Sequence, residues 1–478
     1  MYAATTSVAL VGGDVRPVEV QVHVGRQSEQ FKLSGLPDTA VREAKDRVRA
    51  AVASSGIRFP NRTVTVNLAP AHLPKSGTDF DLAIAIGVLA AGKEIPYPGR
   101  AVVVGELALD GKVRRGAGSI GAAVVSARTG VPCLVASSAA REVAAVPGSA
   151  VHGVDSLAEA VELLADGLEG RPGADPGQVE EELDHETDLA EVLGQPVARR
   201  AIEVAAAGGH HILMHGPPGG GKTMLARRLP GILPLLDDRE TVEVALIHAA
   251  AGLDRALSRS RPFRAPHHTA SRAALVGGGS GVAVPGEVSL AHRGVLFVDE
   301  MAEFPRAHLD TLRQPLEDGT VTVGRRGVTA TFPAAFQLVA ATNPCPCGFR
   351  DDRRKPCQCT PAAMSRYRQR VSGPLLDRFD LVVKVDRLEL PSAADDGPES
   401  TTEVRDRVAR ARRRLIDDPP ALRGEGEALL EAALRNGLLT ARGVDRVRRV
   451  ATTICALIDG THVSEEHVAE AMGLRAEW

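Results

Sequence analysis

The chain has 478 residues, enough for about three domains. Its 57 basic and 60 acidic side chains leave a formal charge of −3, which excludes a small basic nucleic-acid coat while leaving a local basic face open. A hydrophobic content of 44% excludes wholesale disorder, and 3% aromatics excludes a stacking platform for single-stranded bases.

From the N-terminus, Met1–Ala4 lacks the basic region and long apolar core of a signal peptide. The best apolar run, Leu82–Ala91, falls short of the roughly 18 residues of a membrane helix, so a cytoplasmic chain with no membrane partner is expected. Val18–Val24 alternates at period two, as a half-buried strand does. Thr39–Ser54 has helical spacing with Asp38 as its cap. Val64–Leu68 reads as a strand, Phe80–Ala91 as a buried helix and Ala101–Val104 as a short strand. Asp110-Gly111 within Leu107–Val113 marks a hairpin. Between Asp166 and Glu191 lie ten acids and one base, a composition break that we read as a solvated linker over 166–186. Strand and helix then alternate over 187–390, and after a second break at Pro391–Ser400 helical periodicity fills 400–478. The fold class is α/β.

Gly216-Pro217-Pro218-Gly219-Gly220-Gly221-Lys222-Thr223 fits the phosphate-binding pattern G-x-x-x-x-G-K-[ST], between the apolar strand His211–His215 and a helix opening at Thr223. The glycines let backbone N–H groups approach phosphate, and the helix N-terminus adds a positive dipole end. Lys222 offsets phosphate charge, Thr223 offers a hydroxyl to Mg²⁺, and Met224 follows in the same binding segment. Val295–Val298 is a core strand ending in Asp299, a candidate for the Mg²⁺ shell, and Glu300, a candidate to polarise the attacking water. A third strand ends at Asn343, placed to meet the γ-phosphate or the water, or else to cap a turn.

Cys345-Pro346-Cys347 and Cys357-Gln358-Cys359 are two close thiol pairs nine residues apart. Four thiolates in that arrangement can surround one tetrahedral Zn²⁺, and the alternative is free thiols or a redox pair. Arg350, Arg353, Arg354, Lys355, Arg366, Arg368 and Arg370 make the surroundings basic, either as phosphate contacts or as a solvated charged loop. Cys133 and Cys455 read as buried small hydrophobes.

The three strand-end motifs resemble Walker A, Walker B and sensor 1 of AAA+ ATPases. Ser372–Asp380 (SGPLLDRFD) resembles the arginine-finger segment of magnesium-chelatase-like and MCM-like members, which implies that Arg378 acts in trans within a ring, with a salt bridge to Asp377 or Asp380 as the plain alternative. Thr440-Ala441-Arg442 resembles sensor 2, with Arg442 preferred over Arg446, and Gln195 resembles the loop beside adenine. Phe263–Ser271 and Pro285–His292 are similar to segments of the magnesium-chelatase-like family often called YifB or ComM. His267 and His268 in the first are either metal ligands or residues with a pore-loop or structural role. Asp318–Phe332 would be the pre-sensor-1 hairpin, with Arg325 and Arg326 at its tip as phosphate contacts or solvated turn residues.

Residues 1–165 resemble the Lon-protease-like, ribosomal-S5-type α+β domain that precedes the P-loop core and helical lid in that family, through Gly35–Asp38, Asn67–Pro70, Pro74–Gly77 and Gly105–Gly111. Aligned without gaps, Asp79 stands at the Lon serine position and Ala122 at the lysine position, so no peptidase activity is expected. The resemblance implies an ATP- and Mg²⁺-dependent ring, a hexamer, moving branched or single-stranded DNA. The alternative is a chelatase-type motor remodelling a partner protein for metal insertion, against which stands the lack of a metal-ion-adhesion-type segment.

Overall fold

The computed structural model describes residues 1–26, 30–97, 99–168, 170–177, 179, 188–253, 255–279, 282–325, 328–350, 352, 355–387 and 399–475. Among them no helix is long and apolar enough to cross a membrane.

The N-terminal region is built on β1 (Tyr2–Val11), β2 (Asp14–Val24), β3 (Phe31–Ser34), β4 (Val64–Ala69), β5 (Val102–Val103), the small hairpin β6–β7 (Glu106–Leu107, Val113–Arg114), β8 (Cys133–Ala136) and β9 (Val151–Val154). Seven of these make one mixed sheet in the order β3-β4-β2-β1-β5-β8-β9. The alternating valines of β2 point Val18, Val20, Val22 and Val24 into the core. Its helices are α1 (Thr39–Arg42), α2 (Ala44–Ser54), α3 (Asp81–Gly92), α4 (Ser119–Thr129), α5 (Ser137–Val143) and α6 (Leu157–Asp166). The single helix expected over 39–54 is split at Glu43, whose ψ of −12° opens the turn, and Asp38 caps the first piece by accepting from Val41 N–H. The stretch 170–177 does not hang free: Ala174 N–H donates to Val151 and Gly177 N–H to Arg141, which ties it to the N-terminal region.

The second region carries α7 (Pro196–Gly208), β10 (Ile212–His215), α8 (Lys222–Ile232), α9 (Asp238–Ala250), β11 (Phe263–Arg264), α10 (Arg272–Val276), α11 (Glu287–Leu290), β12 (Val295–Val298), α12 (Arg306–Leu309), α13 (Arg313–Asp318), the hairpin β13–β14 (Thr320–Arg325, Val328–Pro333), β15 (Gln337–Thr342), α14 (Pro361–Arg368), α15 (Gly373–Leu376) and β16 (Leu381–Lys384). Five strands form an all-parallel sheet, β11-β12-β15-β10-β16, and β10, β12 and β15 are buried along their whole length. Continuous apolar runs suit a sheet covered on both faces. The hairpin tip, with Arg326 and Gly327, lies outside the described residues. The two regions share a core in which Ala245 and Leu246 of α9 pack with Val8, Val15 and α4.

Four helices close the chain: α16 (Thr401–Asp417), α17 (Glu425–Arg435), α18 (Ala441–Leu457) and α19 (Glu465–Gly473). The arginine-rich α16 buries Val404, Val408 and Ala411 and pairs outward: Arg407 meets Glu203 and Glu399, Arg412 donates to the carbonyl of Ala206, and Arg414 lies 3.8 Å from Asp459.

Candidate functional site

A parallel sheet delivers the loops after all its strands to one edge. Here that edge gathers the loop after β10, Asp299-Glu300 after β12, Asn343 after β15 and Val385-Asp386 after β16. The β10 loop needs its glycines: a Cβ on Gly216 would overlap the Val385 carbonyl, while Gly219, at φ +78°, has nothing within 4 Å of its Cβ position and leaves a cradle open. Lys222, at the start of α8, is buried and donates from Nζ to the carbonyls of Gly216 (2.7 Å) and Pro217 (3.0 Å) and to Oδ1 of Asn343 (3.3 Å). Burial pushes its pKa down to about 8, partly offset by the nearby charges of Asp299 and Glu300.

Thr223 Oγ1 donates to Asp299 Oδ2 at 2.8 Å, and the backbone N–H of Glu300 donates to Asp299 Oδ1 at 2.9 Å, so that carboxylate is held at both oxygens. A hydroxyl and a carboxylate in contact at the phosphate cradle suit an octahedral Mg²⁺ that keeps several waters. Six described non-glycine residues have positive φ, and two of them, Gln195 (+58°) and Glu300 (+48°), sit at this edge, where strain is expected of a working site. Gln195 Nε2 donates to the carbonyls of Gly220 (3.2 Å) and Asp386, closing the cradle from the α7 side. The half-exposed Glu300 carboxylate faces His268 Nδ1 at 3.8 Å. His267 lies beside His268 with ring centres 4.1 Å apart and the rings tilted by 34°. Among the described residues neither belongs to a cluster with metal-ligating geometry.

Arg378 lies elsewhere. It precedes β16, and the N–H of Asp380 bonds the carbonyl of His211 at the opposite end of β10 from the phosphate loop. Four strand residues at about 3.3 Å each separate the two ends by roughly 13 Å. The expected alternative partners, Asp377 and Asp380, do not hold it: Arg378 pairs with Glu317 of α13, while Asp377 faces Arg446 (3.7 Å) and Asp380 takes Arg449 (2.7 Å). Partial burial, and then the charges of Arg442, Arg313 and Arg446, lower the Arg378 pKa. Arg442 therefore shares the Arg378 edge rather than that of Lys222.

The four cysteines converge. Sγ of Cys345 is 3.4 Å from that of Cys347 and 3.7 Å from that of Cys357, and all four sulfurs lie within 4.8 Å of one another. Sulfurs around a tetrahedral zinc, with Zn–S about 2.3 Å, are about 3.8 Å apart, whereas a disulfide needs about 2.05 Å. The donor set fits zinc. Burial pushes Cys345 up to about 12, and N–H groups of Phe349 and Gln358 pull Cys347 down to about 6.

Residues 188–393 match the family model described as magnesium chelatase, subunit ChlI; residues 18–139 match a second ChlI model and 414–475 the ChlI C-terminal model. The chain is 43% identical to an uncharacterized protein of Mycobacterium tuberculosis, over 98% of this chain and 97% of that one. It is 39% identical to YifB of Escherichia coli (98% and 96%) and 38% identical to the competence protein ComM of Haemophilus influenzae (99% and 97%). This chain belongs to the magnesium-chelatase-like YifB/ComM family. It is accordingly an AAA+ ATPase, and that membership points to ATP and Mg²⁺ as its ligands.

Against this YifB/ComM background the N-terminal region holds a second buried lysine, Lys75, and a carboxylate, Asp79, whose Oδ1 is enclosed. Lys75 Nζ is enclosed and donates to the carbonyls of Leu68 (2.8 Å) and Pro70; burial lowers its pKa to about 8. Asp79 Oδ2 accepts from Gly118 N–H at 3.0 Å, and burial raises its pKa to about 6. Ala122 is buried in α4. Three contacts escaped the sequence reading: Glu317 with Arg378, His268 with Glu300, and Gly348 against Pro218. None of these residues sits in a recognisable pattern with its partner.

Proposed function

We propose that this YifB/ComM-family chain is a ring-forming ATP-driven motor that acts on DNA. The observation that carries the reading is the division of charges between two edges of one sheet. Lys222, Thr223, Asp299, Glu300 and Asn343 gather at one edge, and Arg378 with Arg442 at the other, so each nucleotide needs an adjacent copy to be completed. In this reading Lys222 and the loop N–H groups bind the β- and γ-phosphates, with Gln195 and Met224 toward the nucleoside. Thr223 and Asp299 would hold Mg²⁺, which offsets phosphate charge. Glu300 polarises the water, Asn343 orients it, and the neighbour's Arg378 meets the charge that develops on the phosphoryl group. A hexamer, a helical lid over 400–478 and a Lon-like N-terminal scaffold without peptidase chemistry complete the picture.

DNA as the track is supported by the competence protein among the relatives, and by exposed Arg350, Arg366 and Arg368, two of which line a 490 Å³ hollow beside the thiol cluster. Arg370 is not part of that surface, since it pairs with Glu303. A chelatase-type motor acting on a partner protein is the second reading, favoured by the ChlI models themselves.

Glu300→Gln tests the proposal. ATP binding should persist, hydrolysis should fall by about 10²- to 10⁴-fold, and ATP-loaded rings should stay on forked or four-way DNA in a gel-shift assay. Hydrolysis that survives removes the base assignment. Rings that form without retaining DNA, and that a protein partner stimulates instead, favour the second reading.

A further inference from the structure

The thiol cluster is joined to the nucleotide site at three points. Asn343 is separated from Cys345 by one residue, Pro344. Gly348, inside the thiol loop at φ +82°, packs against the phosphate loop so closely that a Cβ there would lie 2.6 Å from Cδ of Pro218. Phe349 lies beneath the Arg387 guanidinium (5.7 Å), and Arg387 follows Asp386, whose carbonyl accepts from Gln195. Between the end of β15 and the Thr360 cap of α14, the described residues form neither helix nor strand. Turns such as Gly348 N–H to the Cys345 carbonyl (2.9 Å) shape this loop, and the four sulfurs are its common centre. A structural metal supplies folding free energy to whatever its ligands enclose.

We propose that a zinc ion held by Cys345, Cys347, Cys357 and Cys359 is the brace of the nucleotide site: it sets the loop that fixes Asn343 and Pro218, so metal occupancy and nucleotide affinity are coupled. The proposal rests on the ATP and zinc readings above. Gly348 is the positioning residue of the couple, since it touches Pro218 and supplies no ligand. Linkage makes the effect reciprocal: if zinc strengthens nucleotide binding, nucleotide must retain zinc by the same factor.

The test uses the full chain, reduced and zinc-loaded, challenged with a chromogenic chelator with and without a non-hydrolysable ATP analogue. The analogue should slow zinc release about tenfold, inside the 5- to 150-fold span of such couplings. Lys222→Ala should show no slowing. Gly348→Ala should keep the wild-type zinc content yet lose the slowing and bind a fluorescent ATP analogue about tenfold more weakly. Equal release rates with bound analogue, or a folded Gly348→Ala protein that behaves as wild type, overturn the coupling and leave the ATP reading standing. Wild-type protein that binds no analogue removes the ATP reading, and protein that holds no zinc removes the zinc reading; either result takes this proposal with it. Should Gly348→Ala fail to fold, the wild-type release rates decide.

Discussion

Each of the two regions holds a buried lysine and a carboxylate at the head of a helix or the end of a strand, and they differ in the space around these groups. In the N-terminal region, Lys75 is sealed with its ammonium on two carbonyls, and Asp79 fills the room that Gly116 and Gly118 leave at the head of α4; a Cβ on Gly116 would overlap its carboxylate. At the P-loop, Gly219 opens onto nothing within 4 Å, and Lys222 rests on loop carbonyls and Asn343, partners that an incoming phosphate can replace. Thr223 and Asp299 wait at its rim, and the Glu300 side chain is 56% exposed. The lesson is that a buried, shifted charge marks a site only where the packing also leaves room for a ligand.

The largest effect should come from the residue that the open site lacks. Arg378→Ala is expected to reduce ATP turnover by about 10³-fold or more, while nucleotide affinity in a binding titration stays within about twofold. Lys222→Ala protomers cannot grip nucleotide but still present Arg378. Mixing the two inactive variants should therefore regenerate turnover at interfaces where an intact P-loop faces an intact arginine. Full activity of Arg378→Ala alone, or no recovery on mixing stably assembled rings, breaks the scheme.

A smaller, graded effect follows from the Lys222 ammonium. Its pKa in the free protein is lowered to about 8. Phosphate charge raises it again, so binding takes up a proton wherever the free lysine is neutral. Affinity for the nucleotide should be flat below about pH 8 and fall above it, approaching a factor of ten per pH unit. Titrations from pH 7 to 9.5 in buffers of matched ionic strength measure it, and a flat profile across that range would show that the lysine stays charged without its ligand.

The part of the site legible in the sequence is the part written contiguously. The P-loop spans eight consecutive residues, Asp299-Glu300 ends an uninterrupted apolar strand, and the cysteines announce themselves by pairs. Some strands were legible too: Val18–Val24, the second part of β2, carries a period that burial enforces, and Val295–Val298 is a continuous buried run, whereas β1 (Tyr2–Val11) was not read. What stayed hidden depends on distant elements meeting. Glu317 and Arg378 are 61 positions apart, and Gly348 and Pro218 are 130 apart, so no local pattern pairs them. Placing Arg442 on the edge with Arg378 required the course of α18. The break at Glu43 is a difference of one backbone angle that helical periodicity does not register.

The closed pocket gives the smallest effect, with a sign opposite to that of an ordinary structural carboxylate. Asp79 has a folded-state pKa raised to about 6 from 3.8, chiefly by burial. Between those values the folded state binds the extra proton, so stability declines as pH rises through that window and is level above about 6. Two units correspond to roughly 3 kcal/mol as an upper figure. Asp79→Asn removes the charge while keeping an oxygen for the Gly118 N–H, and should raise the melting temperature by a few degrees at pH 7.5 but not near pH 4. ATP turnover should not change, because Asp79 lies in the other sheet's territory. A variant that melts lower at pH 7.5 would show that the carboxylate is stabilising where it sits. One that folds normally but loses DNA- or partner-stimulated turnover would show that the sealed pocket is a second working site, and the contrast with the P-loop would fall.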